Sequence, residues 1–140
     1  MYPGIAALLR QLFAAPDVRV ALITRNMTID PQETLKYLFR RHEIDMTEFD
    51  FLACIPLQEH KTEYMRRARQ SFAINPARTY SCGDEYSDYL AAINAGICPF
   101  VVAYGFEDQL RLTGKFGVPV EVISASPAEF SENLLNALNL

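Results

Sequence analysis

Five short, mostly apolar segments alternate with helical patterns along this chain, and this alternation restricts the fold more than any other feature. The segments are residues 18–24, 51–55, 79–82, 100–103 and 120–123. Apolar runs of this length, rich in β-branched and aromatic residues, are typical of strands that are covered on both faces. Because parallel strands need long crossover connections, strands separated by helices predict an α/β fold with a doubly wound, parallel, five-stranded sheet.

Helices are predicted between these strands by apolar periodicity and by capping motifs. The periodic positions are Ile5, Leu8, Leu9, Leu12 and Phe13 in the first pattern, and Leu35, Leu38 and Phe39 in the second. Asp30 and Ser126 are each followed by a proline, and a glutamate stands three residues after each of them. This arrangement is typical of a helix start. Gly96 follows another helical pattern at the position where a helix would end.

Length and charge exclude several classes of protein. The chain has 140 residues, half of them apolar, which predicts one domain over residues 1–140. Its formal net charge of -4 gives no broad attraction to nucleic acid or to an anionic membrane. Neither a membrane-spanning apolar run nor a signal peptide is recognisable. The sequence therefore predicts a cytoplasmic protein whose partners include neither nucleic acid nor a membrane.

Two aspartates follow the third predicted strand, where ligands of doubly wound sheets bind. Asp84 would lie on the loop after this strand, and Asp88 in the first turn of the next helix. At this spacing, one carboxylate could hold a hard cation directly and the other through water. A second interpretation is structural, because first-turn and capping carboxylates also stabilise a helix N-terminus. The spacing alone favours neither interpretation.

The sequence resembles the haloacid dehalogenase (HAD) superfamily, most closely its phosphoglycolate-phosphatase-like branch, and three of the four family motifs are recognisable. The second motif is similar to ALITRN at residues 21–26, and the third to His60-Lys61. The fourth is similar to GDEYSDYLAAINAGI at residues 83–97, which is a long and specific match. The resemblance covers nearly the whole chain, and it implies a Rossmann-like HAD core.

The resemblance also implies a phosphate site. Thr24 would donate a hydrogen bond to a phosphate oxygen, and Lys61 would balance the charge of the phosphate and of the nucleophile. Arg25 and Asn26, which directly follow Thr24, are further candidate phosphate ligands. The implied partner is a small phosphorylated molecule, although a protein partner or an oligomer is compatible with the same residues.

A magnesium site is implied at the fourth motif. Asp84 would be a ligand of Mg²⁺, and Asp88 would support the site from behind it. Mg²⁺ takes oxygen ligands and keeps waters that a substrate can replace. Only part of the family's ligand set is recognisable, so we expect weak Mg²⁺ binding.

The first family motif, Asp-x-Asp, provides the aspartyl nucleophile and the acid/base residue, and it has no counterpart in this sequence. The family places it before the helix that here begins near Pro3-Gly4, and no residue precedes Met1. The later acidic residues near the second strand do not end a strand either. We therefore expect a phosphatase-type core that binds phosphate and Mg²⁺ but is inactive by itself.

The missing motif also bears on strand order. The family's nucleophile strand lies between the strands that here end at Thr24 and Cys82, so its removal with closure of the gap predicts the order 2-1-3-4-5. One alternative is half of a split phosphatase, in which a second chain supplies the missing strand. Another is a flavodoxin-like or partner-binding module that uses residues 24–28 as a phosphate loop.

Overall fold

The computed structural model describes residues 1–25 and 28–140, which form two compact units, Met1–Ala68 and Arg69–Leu140. The elements that begin in the first unit are α1 (Ile5–Ala14), β1 (Ala21–Thr24), α2 (Pro31–Arg40), β2 (Phe51–Cys54) and α3 (Lys61–Ser71). Those of the second unit are β3 (Tyr80–Gly83), α4 (Tyr86–Ala95), β4 (Cys98–Val102), β5 (Ile123–Ser124) and α5 (Pro127–Leu138). Single helical turns occur at Met46–Glu48, Pro76–Arg78 and Val120–Val122, and a wider turn at Arg111–Lys115.

The first unit contains a parallel pair of strands. Ala21 of β1 is paired with Phe51 of β2, and the register continues to Thr24 opposite Cys54. Both strands consequently end at the same edge of the pair. Phe49, just before β2, is packed edge-on against Phe13 and Phe39, with ring centroids 5.1 and 5.2 Å apart. These contacts join α1 and α2 to the start of β2, and they bury apolar surface that water would otherwise cover.

The second unit contains a parallel three-stranded sheet in the order β3-β4-β5. Its core combines the sheet with the segment between β4 and β5. The buried members of this core are Val101, Leu112, Val118 and Ile123. The rings of Tyr86 and Phe116 stack beside it, with centroids 4.4 Å apart. The start of α4 is thereby packed against the segment that precedes β5.

The predicted helix boundaries are confirmed by the observed caps. Asp30 Oδ1 accepts a hydrogen bond from Glu33 N at 3.1 Å, and Ser126 Oγ accepts one from Glu129 N at 3.2 Å. Gly96 ends α4 with a φ of 70°, a conformation that glycine adopts without a steric cost. These helix ends are therefore encoded locally.

The predicted α/β class with parallel strands is confirmed, but the predicted strand boundaries were not exact. The segments 51–55, 79–82 and 100–103 are observed as β2, β3 and β4 with ends shifted by one or two residues, and the first and fifth segments differ more. β1 begins at Ala21 rather than at residue 18, because residues 15–18 form a turn and the Val20 amide donates to Asp50 Oδ2. The segment 120–123 is mainly a helical turn, closed by the Val122 amide on Pro119 O, and only its last residue belongs to β5. The strand ladders contain two and three strands, so the five-stranded order stays a prediction, as does the single domain.

Across residues 1–25 and 28–140, no helix combines the length and the apolar character needed to cross a membrane.

Candidate functional site

The carboxylate of Asp84 is fixed by the segment that follows β4. Asp84 lies directly after β3, and its Oδ2 accepts a hydrogen bond from the Phe106 amide at 2.9 Å. Its main-chain oxygen accepts a second one from the Glu107 amide at 3.2 Å. Since both the side chain and the backbone of Asp84 are held, the orientation of this carboxylate is defined.

Asp88 lies beneath the same loop, in the first turn of α4. Its side chain is buried, with 5% of the residue exposed. It approaches Gly83 so closely that a Cβ atom on Gly83 would lie 2.5 Å from Asp88 Oδ2. Such a distance is far inside van der Waals contact, so the glycine before Asp84 makes room for the second carboxylate. The structure thus brings Asp84 and Asp88 together around one loop.

A second glycine makes room for Asp84 itself. A Cβ atom on Gly105 would lie 2.8 Å from the carboxyl carbon of Asp84 and still closer to its Oδ2. The side chain of the next residue, Phe106, is largely exposed, while its amide is bound to Asp84. The backbone of residues 105–106 therefore forms one side of the site.

Glu107 lies beside this site, and the sequence did not predict it. Its side chain is buried, with 8% of the residue exposed, and its Oε2 accepts a hydrogen bond from the Tyr86 amide at 3.2 Å. Arg111 Nε lies 3.8 Å from its Oε1. The sequence signal is weak, because a glutamate four residues before an arginine is also common on exposed helices.

The donor chemistry of this loop fits a magnesium ion that is held by few protein ligands. In the part of the chain that the structure describes, no three His, Cys, Asp or Glu side chains come together as a metal cluster. Mg²⁺ nevertheless often binds through one or two carboxylates, with waters and substrate oxygens completing the octahedron. Asp84 suits the direct ligand, and the burial of Asp88 suits a supporting position. Magnesium binding by these residues stays a prediction.

The predicted phosphate residues lie in the first unit. Thr24 is the last residue of β1, and Lys61 is the first residue of α3. Arg25 Nη2 donates a hydrogen bond to Glu59 O at 3.2 Å, which ties the end of β1 to the loop after β2. Arg25 Nε is buried and has no acceptor among the described residues. The prediction for Asn26 lies outside the described residues.

The loop before α3 is also held from the helix side. The Tyr64 hydroxyl donates a hydrogen bond to the Glu59 carboxylate. This bond, with a smaller contribution from burial, raises the pKa of Tyr64 above its ordinary value. Glu59 is therefore held twice, through its main chain by Arg25 and through its side chain by Tyr64. These two hydrogen bonds therefore fix the loop that precedes Lys61, the first residue of α3.

Comparison with solved structures shows the fold. A proposed phosphoglycolate phosphatase from Lactobacillus delbrueckii subsp. bulgaricus matches with a TM-score of 0.73 and 20% identity, over 95% of this chain and 53% of that one. A haloacid dehalogenase-like hydrolase from Streptococcus pneumoniae matches with a TM-score of 0.72 and 24% identity, over 94% and 59%. A predicted phosphatase from Clostridium acetobutylicum matches with a TM-score of 0.72 and 22% identity, over 96% and 60%.

The chain therefore spans between half and two thirds of the length of these proteins. No curated protein sequence matches it. The profile of the HAD-hydrolase-like family matches residues 59–135, which is more than half of the chain and includes the Asp84 loop. Together with the fold, this match confirms the resemblance: the chain belongs to the HAD-like hydrolase family.

Proposed function

We propose that this chain is the phosphate- and magnesium-binding core of a HAD-type phosphatase. The observation that carries the proposal is the arrangement around Asp84, whose carboxylate is fixed by the Phe106 amide and given space by Gly105. This support holds the carboxylate in one orientation, as a metal ligand requires. The proposed ligand is a small phosphorylated molecule.

The phosphate would be bound by residues of the first unit. Thr24 offers a hydroxyl at a strand end, and Lys61 offers a positive charge at the start of α3. Arg25 supports this proposal, because its buried Nε lacks an acceptor among the described residues and a phosphate oxygen would supply one. Asn26 is included in the proposal by its sequence position alone.

Magnesium would be held by Asp84 directly, with Asp88 behind it. When bound, Mg²⁺ would neutralise phosphate charge and help to orient the phosphoryl group. In the proposed site Asp84 presents its carboxylate in a fixed orientation, and Asp88 stabilises the loop from below. For the arrangement of the strands, we propose one sheet of order 2-1-3-4-5.

The proposed core lacks the family's nucleophile motif. The 140 residues contain no Asp-x-Asp sequence, which in the resembling family provides the nucleophile and the acid/base residue. Loss of a covalent nucleophile costs several orders of magnitude in rate. The proposed chain thus binds its ligand but does not turn it over by itself.

Activity is tested with an aryl phosphate and Mg²⁺, with Asp84→Asn as the matched variant. We expect no appreciable turnover from either protein. Turnover on the order of one per second, an ordinary enzyme rate, that Asp84→Asn abolishes would contradict the proposal. It would mean that a different residue serves as the nucleophile.

Magnesium binding is tested by following amide NMR shifts while Mg²⁺ is added. We expect millimolar affinity at best, because one direct carboxylate leaves most of the octahedron to water. Asp84→Ala should abolish the shifts around residues 83–88. A micromolar site that Asp84→Ala leaves unchanged would rule out Asp84 as the ligand.

A further inference from the structure

The Glu107 carboxylate is buried although it is not a residue of the proposed phosphate or magnesium site. A buried charge is costly unless it is paired and hydrogen-bonded. Among the described residues, its carboxylate is paired with the Tyr86 amide and the Arg111 guanidinium. One partner is the first amide of α4, and the other lies in the turn after Glu107. This pairing offsets the cost of burying a carboxylate beside the Asp84 loop.

Glu107 is bound to this loop in both directions. Its amide donates to Asp84 O at 3.2 Å, and its Oε2 accepts from the Tyr86 amide at the same distance. The neighbouring Phe106 amide donates to Asp84 Oδ2 at 2.9 Å. Three hydrogen bonds thus connect residues 106–107 with residues 84–86. Of residues 106 and 107, Glu107 is the one whose side chain takes part in these bonds.

The Glu107 carboxylate is an acceptor for the first amide of α4. The first amides of a helix lack partners within the helix and need an acceptor. Within the described residues, the side chain of the N-cap residue Glu85 makes no capping hydrogen bond, and it accepts instead from the Ser87 hydroxyl. Glu107 fills the role from a distant position in the chain. Its negative charge is also favourable at the positive end of the helix dipole.

We propose that Glu107 is a positioning residue for the divalent-cation site. Its carboxylate holds Tyr86 and the start of α4, and this fixes the loop so that Phe106 and Asp84 keep their hydrogen bond. Asp84 then presents its carboxylate in one orientation. The cation part of this inference rests on the proposed function, whereas the coupling between Glu107 and the Asp84 loop does not.

The cation part is tested by titrating Mg²⁺ into Glu107→Ala, Glu107→Gln and Glu107→Asp, with amide NMR shifts as the measurement. We expect about a 10-fold or greater loss of affinity in Glu107→Ala, the scale of losing a residue that supports a metal ligand. Glu107→Gln keeps the acceptor and its reach, so its affinity should stay within about threefold of the original. Glu107→Asp keeps the charge but is one methylene shorter, so its Mg²⁺ affinity should fall as in Glu107→Ala. It replaces Glu107→Ala in the test if Glu107→Ala does not fold.

Ser126→Ala is the matched control. It removes from α5, in the same unit, a capping hydrogen bond of the same 3.2 Å distance, and it should lower stability without changing Mg²⁺ affinity. If Ser126→Ala weakens Mg²⁺ binding as much as Glu107→Ala does, the effect of Glu107 is general destabilisation and the proposal fails. The proposal also fails if Glu107→Asp binds Mg²⁺ like the original chain.

A second measurement needs no metal and separates this inference from the proposed function. Amide hydrogen exchange at Phe106 should become at least about 10-fold faster in Glu107→Asp and stay unchanged in Glu107→Gln and Ser126→Ala. If hydrogen exchange changes in this way but the original chain binds no Mg²⁺, the proposed function is contradicted, while the coupling between Glu107 and the Asp84 loop is supported. Unchanged exchange at Phe106 in Glu107→Asp would overturn the coupling itself.

Discussion

Two glycines determine whether the carboxylates of the candidate site can occupy their places. Gly83 faces Asp88 and Gly105 faces Asp84, and in each case a Cβ atom would overlap the carboxylate. Neither glycine is explained by a left-handed backbone, since the described glycines with positive φ are Gly4, Gly96 and Gly117. At these two positions the requirement is space rather than backbone freedom. The site is thus specified in part by the absence of side chains.

Gly105→Ala should therefore disturb the site, while Gly114→Ala should not. The added methyl group of Gly105→Ala overlaps Asp84, and overpacking of this kind costs about 1–3 kcal/mol. We expect a lower free energy of unfolding and loss of Mg²⁺-dependent amide shifts. At Gly114 the nearest atom is 4.0 Å away, and alanine is the better helix former by about 1 kcal/mol. Urea unfolding of both variants tests this prediction, and equal effects would contradict it.

Sequence reasoning could find Asp84 and Asp88 but not Glu107. The two aspartates stand in one short motif at the end of an apolar strand, so spacing alone brings them near each other. Glu107 contacts Tyr86, which lies 21 positions earlier in the chain. No local pattern distinguishes this glutamate from an exposed one. Its burial becomes visible only when the segment after β4 is folded back onto α4.

At the scale of elements, the sequence predicted what is encoded locally. The caps at Asp30 and Ser126 and the helix end at Gly96 were correct because each depends on neighbouring residues. The turn at Arg111–Lys115 was missed. Leu112 within it and Leu110 just before it stand two positions apart, which is not a helical spacing. The turn is also wider than an α-helix, with the Phe116 amide donating to Arg111 O.

This turn contributes Leu112 to the core, so Leu112 and the preceding Leu110 should respond differently to truncation. Leu112 is 0% exposed and belongs to the core cluster of the second unit, whereas Leu110 is 81% exposed. Leu112→Ala should lower the free energy of unfolding by about 2–5 kcal/mol, because it leaves a cavity. Leu110→Ala should change it by less than about 0.5 kcal/mol. Urea unfolding measures both, and similar values would show that this turn does not pack as described.

At the scale of the whole molecule, the proposed order 2-1-3-4-5 has a consequence for cooperativity. A continuous sheet would join β1 and β2 to β3, β4 and β5 through backbone hydrogen bonds. Unfolding of either unit would then break bonds of the other, and the chain would unfold in one step, as most single domains of this size do. Separate sheets would allow each unit to open with its own free energy.

One conservative substitution in each unit tests this consequence. Ile55 and Ile123 are both buried, and Ile→Val costs about 0.5–1.5 kcal/mol at such positions. The free energy of unfolding falls by about 1–3 kcal/mol per molar urea, so each variant should lower the single urea midpoint by a few tenths of a molar or more. In native-state hydrogen exchange, Ile123→Val should reduce the protection of the slowest β2 amides, although it lies in the other unit. Two urea transitions, each shifted by one variant only, would contradict the continuous sheet. Gel filtration at the same concentration completes the test, because a dimer that exchanges strands would also couple the units and would contradict the closed order.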